Sequence, residues 1–357
     1  MADREDLKPG DEPPSRPPVL QSLGVFARWE TLLLALLGVT IAYGASVSPY
    51  FLQSSNLFFI CLNVGEIAIM ALPLTLLVIT GEIDLSVAST LGLSGVLMAE
   101  LFKHGWPIWP AMIAAVALGA VLGAINGFLV TRIGLPSLAV TIGTLTLYRG
   151  IAQGILPTDT IGGFPSSLAN IGVIPIPGTH IPYSIAFFGV LAVVFGIVLH
   201  VTPLGRAIFA IGAGQEAAFF AGIRVRRIKF WLFVLSGTMS GFAGVLWSLR
   251  FASARYDAGV GMELFVVTIV LLGGVSIFGG RGTIVGVFLA VAVLGCLQTA
   301  LTADQIPAQD QNIVVGGLLL ASVIIPNARD LYRRLRVRLR SAEARRHASA
   351  LAQADGQ

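Results

Sequence analysis

Polar side chains set among long apolar runs are where this chain could do chemistry: Asn63 and Glu66, Glu82 and Asp84, Asn126, Thr141 and Thr144, Arg149, Glu263 and Gln298. Amide and ionisable groups inside hydrocarbon are costly, so they face a cavity or one another. Asn63, Glu66, Asn126, Thr141, Thr144, Arg149, Glu263 and Gln298 are therefore the candidates for lining a substrate pathway. Glu82 and Asp84 fall in the tight turn Thr80-Gly81-Glu82-Ile83-Asp84, where Asp84 is placed to cap the next helix through its first N–H groups. Arg149 lies deeper in its run. A lone buried guanidinium is very expensive, so Arg149 is expected to pair with Glu66 or Glu263, or to face a water-filled path.

Other chemistries are missing from the pattern. The four histidines are not spaced as metal ligands, and Cys61 and Cys296 lie inside apolar runs, so neither a metal centre nor a disulfide framework is implied. Gly279-Gly280-Arg281-Gly282-Thr283 has neither the spacing nor the lysine of a phosphate-binding loop. No Ser-His-Asp set and no paired carboxylates stand out. The chain is expected to be no enzyme, to hydrolyse no ATP and to need no cofactor.

These residues are carried by membrane helices. With 357 residues, 55% hydrophobic and 12% charged, and a mean hydropathy of +0.84, the chain reads as a polytopic membrane protein. A soluble chain carries about 25% charged residues. Apolar runs near 31–48, 57–80, 84–103, 108–131, 136–156, 181–200, 229–249, 261–280, 283–302 and 308–326 each approach the roughly 20 residues needed to cross hydrocarbon. The expected fold is all-α with about ten transmembrane helices, and an even number puts both termini on one side. With that side inside, inner segments hold nineteen Lys and Arg against three outside (Lys103, Arg250 and Arg255). Both termini are therefore expected to be cytoplasmic.

The domain reading is a disordered cytoplasmic tail at 1–28, a membrane domain at 29–328 and a basic cytoplasmic tail at 329–357. In that last tail Leu331, Leu335 and Leu339 form a stripe that suits either a helix on anionic lipid or a stop-transfer cluster. The cation-free stretch 157–180 is expected at an outer rim. Gly119, Gly123 and Gly127, and Gly237 and Gly241, have the small-xxx-small spacing of closely packed membrane helices. The echo between Ala120–Leu129 and Ala292–Leu301, on runs of opposite direction, suits an inverted repeat.

The stretch 202–229 interrupts the second half with five cations, Arg206, Arg224, Arg226, Arg227 and Lys229, and so belongs inside. Thr202-Pro203 reads as an N-cap with proline at the first helical position, and Gly214-Gln215-Glu216 opens a second short helix that Gly222 can terminate. Phe219 and Phe220 lie between, in a segment that should meet water. They either enter a groove on a partner or fold back onto the membrane domain.

Local motifs add a resemblance. Gly81-Glu82-Ile83-Asp84-Leu85-Ser86-Val87-Ala88, Leu135–Thr144 with Arg149-Gly150, Gly205-Arg206, and Leu271–Ser276 through Gly279–Gly282 resemble the permeases of bacterial ribose-type ABC sugar importers. The likeness runs from about residue 30 to 328. Glu216-Ala217-Ala218…Gly222 is similar to part of the coupling motif of importer permeases, without the Leu-Pro that often follows. Glu82 and Ala88 stand where ribose permeases usually carry glycine. Together with Ile161–Pro165 and Phe251–Arg255 they resemble the rhamnose and autoinducer-2 permeases.

The resemblance implies a permease of the bacterial inner membrane that moves a monosaccharide inward, with rhamnose as first choice. It also implies a separate ATPase subunit, a periplasmic sugar-binding protein and a second permease subunit, identical or paralogous. Gly205, Arg206, Glu216, Phe219, Phe220 and Gly222 are the expected ATPase-coupling residues. The rival readings are an ion-coupled secondary transporter, which the few embedded carboxylates disfavour, and a same-superfamily permease for autoinducer-2, ribose, nucleosides or branched-chain amino acids.

Overall fold

A computed structural model of the chain describes residues 18–325, with side chains from Trp29 onward. The described residues form thirteen helices: α1 (Pro18–Val47), α2 (Ser54–Ile79), α3 (Val87–Lys103), α4 (Ile108–Phe128), α5 (Ser137–Ile155), α6 (Ser166–Val173), α7 (Tyr183–His200), α8 (Pro203–Ala213), α9 (Gln215–Phe220), α10 (Val225–Arg250), α11 (Met262–Leu272), α12 (Ile284–Ala303) and α13 (Ala308–Ile325). Each of the ten apolar runs overlaps a helix, but the helices in 84–103, 136–156 and 261–280 (α3, α5 and α11) are not among those long and apolar enough to span. Seven helices are long and apolar enough to cross a membrane: α1, α2, α4 with its extension to Ile133, α7, α10, α12 and α13. α1 begins at Pro18, inside the stretch read as a tail at 1–28; the rest of that tail and the whole of 329–357 lie outside the described residues.

α2 is the centre of the bundle. Every residue from Val64 to Thr80 is buried, against 6% of the span window in the peripheral α13. α10 lies beside α2 and also packs along α4. The α4–α10 contact is backbone against backbone: a Cβ at Gly119 would fall 2.3 Å from the Gly237 carbonyl oxygen, and one at Gly123 at 2.3 Å from that of Phe233. The small-residue spacing read from the sequence is thus a helix seam, and it brings the polar stripe of α10 onto α3 and α4.

One expected span is shorter than read. The run 261–280 is helical from Met262 to Leu272 and then turns back through Gly273–Thr283. Gly274, Gly279 and Gly280 all have positive φ, which ends the helix whatever the hydropathy of the run. Such irregular backbone is tolerated at membrane depth where protein covers it. Here the Gly280 N–H donates to the Ile79 carbonyl at 2.8 Å, and the Trp29 Nε1 donates to the Leu272 carbonyl at 3.0 Å. These contacts define one end of the bundle, the end that carries α8 and α9. At the opposite end the Tyr43 hydroxyl bonds the Asp304 carboxylate at 2.6 Å. There a two-residue antiparallel pair, β1 (Ile161–Gly162) with β2 (Ser253–Ala254), ties the 157–180 loop to the link between α10 and α11.

Candidate functional site

Three polar clusters divide the candidate residues among them. The first lies towards the end opposite α8 and α9. Arg250, the last residue of α10, donates to the Leu62 carbonyl at 2.8 Å, to Glu66 Oε2 at 3.1 Å and to Asn63 Oδ1. Glu66 is 1% exposed, so this guanidinium is what makes its burial tolerable. Trp247 and Phe251 flank the guanidinium, with ring centres 5.8 and 5.1 Å from its carbon. Together with Ile67, Met262, Gln298, Thr299 and Thr302 they line a cavity of about 300 Å³. An aromatic wall with a few fixed amide, hydroxyl and guanidinium groups is the composition of a site for a small polar solute.

The second cluster is closed. Asp84, 1% exposed, accepts hydrogen bonds from the Ser86 N–H at 2.9 Å, the Ser86 hydroxyl at 2.6 Å and the Ser236 hydroxyl at 2.8 Å. Asn126 donates to the Ser86 oxygen at 2.8 Å and accepts from the Tyr148 hydroxyl at 3.3 Å. Thr141 donates to the carbonyls of Ser137 and Ile83, and Thr144 to that of Thr141. Asp84 therefore does not cap α3 as expected: Ser86 is the N-cap residue, the first-turn N–H groups receive no side-chain cap, and Asp84 takes the N–H of Ser86 before the helix begins. Asn126, Thr141 and Thr144 are buried structural members that hold the α2–α3 link, and they line none of the cavities described here.

Arg149 is a correction. It donates at 2.6 Å to the carbonyls of Tyr256 and Ala258, on the α10–α11 link, and makes no hydrogen bond or ion pair with Glu66 or Glu263. Glu66 already has Arg250, while Glu263 sits in the first turn of α11 at the positive helix end. Both bonds leave from Nη1, and Glu263 and Asp257 act on the guanidinium electrostatically without a direct contact. Its path crosses α3 at Gly92, where a Cβ would lie 2.7 Å from Arg149 Nη1.

The third cluster joins α8 and α9 to the bundle. Thr202 caps α8, accepting from the Gly205 N–H at 3.4 Å, and Pro203 follows at the first helical position. Gly205 is required by contact: a Cβ there would sit 1.9 Å from the Leu199 carbonyl oxygen. At Gly212 a Cβ would meet the Ile79 carbonyl oxygen at 1.9 Å and the Gly280 nitrogen at 2.3 Å, so α8 abuts both α2 and the 273–283 turn. Lys229, 5% exposed, bonds Glu82 Oε1 at 2.6 Å and Gln215 Oε1 at 2.7 Å. That one ammonium ties α9 and α10 to the α2–α3 link. Gly222 adopts the left-handed conformation that closes α9, with φ +82°.

Arg206 and Glu216 are exposed. Phe219 and Phe220 are 66% and 85% exposed, with their rings edge to face. They do not fold back onto the membrane domain.

Sequence reasoning placed Arg250 in an outer loop and missed it, with Trp247, as the centre of the first cluster. The readable signal was their spacing of three at the end of a helix, which puts a ring and a cation on one face. It also read Lys229 as a loop cation, whereas that side chain is buried and paired.

Comparison with known proteins gives consistent relatives. The family model described as branched-chain amino acid transport system / permease component matches residues 56–323. The autoinducer 2 import system permease protein LsrD of Salmonella typhimurium (strain LT2) is 35% identical over 302 residues, covering 83% of this chain and 90% of that protein. Its namesake in Escherichia coli O9:H4 (strain HS) is equally similar, with 91% of its length covered. No solved structure matches the chain significantly.

Proposed function

Because the chain belongs to this permease family, in the subgroup of ABC sugar importers, and is a multi-pass inner-membrane transport protein rather than an enzyme, we propose that it carries a small polyhydroxylated solute from periplasm to cytoplasm. The family works with an ATPase and a periplasmic binding protein. In this chain the ATPase is proposed to dock on α8 and α9, at Gly205, Arg206, Glu216, Phe219, Phe220 and Gly222. The observation that carries the reading is the pair of exposed phenylalanines on a helix whose base is fixed to α2, α10 and the 273–283 turn. A push on α9 would reach the bundle through Lys229 and Gly212. The solute-contacting residues are proposed to be Asn63, Arg250, Gln298 and Trp247, with Glu66 and Arg149 positioning them.

A second permease subunit is proposed to pack across α5. Ala139, Gly143, Thr146, Gly150, Gln153 and Gly154 are all exposed on that helix, and the space around Gly143, Gly150 and Gly154 is open. Thr146 and Gln153 would be costly against lipid and suit a hydrated path between two subunits. The relatives named for autoinducer 2 import move that solute ahead of rhamnose as the first to test. The test is uptake by vesicles that hold the permease, its ATPase and its binding protein. Uptake of labelled autoinducer 2 that is lost in Asn63→Ala and Gln298→Ala supports the reading; competition by rhamnose alone would restore the sugar originally favoured. ATP-independent uptake driven by an ion gradient would overturn it. An ATPase docked on α8 and α9 would place that end of the bundle, where Trp29 meets Leu272, in the cytoplasm, so with both termini proposed there, reporters fused at residue 170 and at the C-terminus are expected on opposite sides of the membrane.

A further inference from the structure

We propose that the groove between α4 and α10, at the end that carries α9, is a binding site for an anionic phospholipid. The groove has a volume of about 990 Å³ and is lined by Phe128, Arg132, Arg226, Arg227, Phe230 and Trp231, among others. Arg224 and Arg227 also border a second, apolar groove of about 550 Å³ on the far side of Trp231. Arg132, Arg224, Arg226 and Arg227 are all exposed, and none of them makes a hydrogen bond or ion pair with the described residues. Arg132 is presented by a single π-helical turn, Leu129–Ile133, that ends α4 at Gly134. Widened turns of this kind recur at functional positions.

The two halves of the groove ask for different chemistry. Phe128, 52% exposed, and Trp231, 57% exposed, lie near the ends of helices long and apolar enough to span the bilayer, so this wall is placed to meet acyl chains at the edge of the hydrocarbon. The arginines stand where those helices leave it. A free phosphate would satisfy the cations and leave the aromatic wall wet. An acidic protein surface would meet the arginines and could not enter the groove. An anion joined to acyl chains satisfies both, and basic pockets beside membrane helices bind such headgroups. Trp at the membrane interface serves the same anchoring. Phe219 borders the groove on its water side, so the lipid would lie beside α9 without covering Phe220.

The test uses the full-length purified permease, stripped of lipid and offered phosphatidylglycerol or phosphatidylcholine at equal concentration. Retained lipid is read by native mass spectrometry. Wild type is expected to retain phosphatidylglycerol selectively, and Arg132→Gln/Arg226→Gln/Arg227→Gln to bind it at least tenfold more weakly. Each basic residue near an anionic lipid surface contributes on the order of a fivefold factor. Arg206→Gln, outside the groove, should bind as wild type does. Brominated phosphatidylglycerol should quench wild-type fluorescence more than that of Trp231→Phe, a measurement that does not depend on the triple variant folding. The proposal is overturned by equal retention of the two lipids, by undiminished retention in the triple variant, or by displacement with inorganic phosphate at matched concentration. It is also overturned if the triple variant loses the co-purifying ATPase while keeping its lipid, since the arginines then serve a protein contact.

Discussion

Glu66 and Arg250 are the residue pair on which the proposed solute site depends. Removing one member of a buried ion pair leaves the other charge uncompensated, at a cost of roughly 3–5 kcal/mol, whereas replacing both with apolar groups is close to neutral. Arg250→Met should therefore lower the thermal midpoint of the purified protein sharply, and Glu66→Leu/Arg250→Met should recover most of the loss. A double variant as unstable as the single one would mean that the guanidinium matters through the Leu62 carbonyl or Asn63 instead. Which partner Arg250 takes was not legible in the sequence, and the failure at Arg149 has the same cause. Burial in its run demanded a partner for Arg149, while Arg250 read as an outer cation, and the partners of both lie far along the chain: Arg149 reaches carbonyls 107 and 109 residues away, and Arg250 a carboxylate 184 residues away. Composition announces the need, and only the packing of α2, α5 and α10 chooses how it is met.

Elements whose limits follow from local rules were read well. Thr202-Pro203 and Gly222 bound α8 and α9 through backbone chemistry that a few neighbours determine, and the Gly119/Gly123 and Gly237/Gly241 spacings mark a real seam. Hydropathy misjudged 261–280, because a window average carries Val275, Ile277 and Phe278 along with the helix and passes over the glycines at 274, 279 and 280 whose positive φ ends it. The exposed aromatics of α9 give this scale its prediction. Burying one such side chain contributes roughly 1.5–3 kcal/mol, so Phe219→Asp/Phe220→Asp should release the ATPase by placing two charges in its cleft. Both side chains are mostly exposed, so the permease itself should remain folded and membrane-inserted. Co-purification of the ATPase, read beside uptake, decides: retained ATPase with normal uptake would remove α9 from the docking surface.

Across the whole molecule, three of the helix pairings recur with the two halves exchanged. α10 packs on α3 and α4 as α2 packs on α11 and α12, and α3 meets α4 as α11 meets α12. Together with the echo of Ala120–Leu129 in Ala292–Leu301, these pairings lead us to propose an inverted repeat about the α2–α10 contact. In such a plan α5 clips both links, that of α2–α3 through Ser137 and Thr141 and that of α10–α11 through Arg149. Its other face, with Gly143 and Gly150 open, has no covering among the described residues. If a second permease lies there, cysteines at Gly143 and Gly150 should form cross-links between subunits, and cysteine at Val190 of α7, 67% exposed to lipid, should form none. Because alternating access moves the subunits against each other, the yield at the two positions should shift in opposite directions when ATP is trapped on the ATPase. Equal cross-linking at Val190 would reduce the α5 result to random collision. Efficient cross-linking at Gly143 and Gly150 that ignores the nucleotide would keep the dimer and move the path elsewhere.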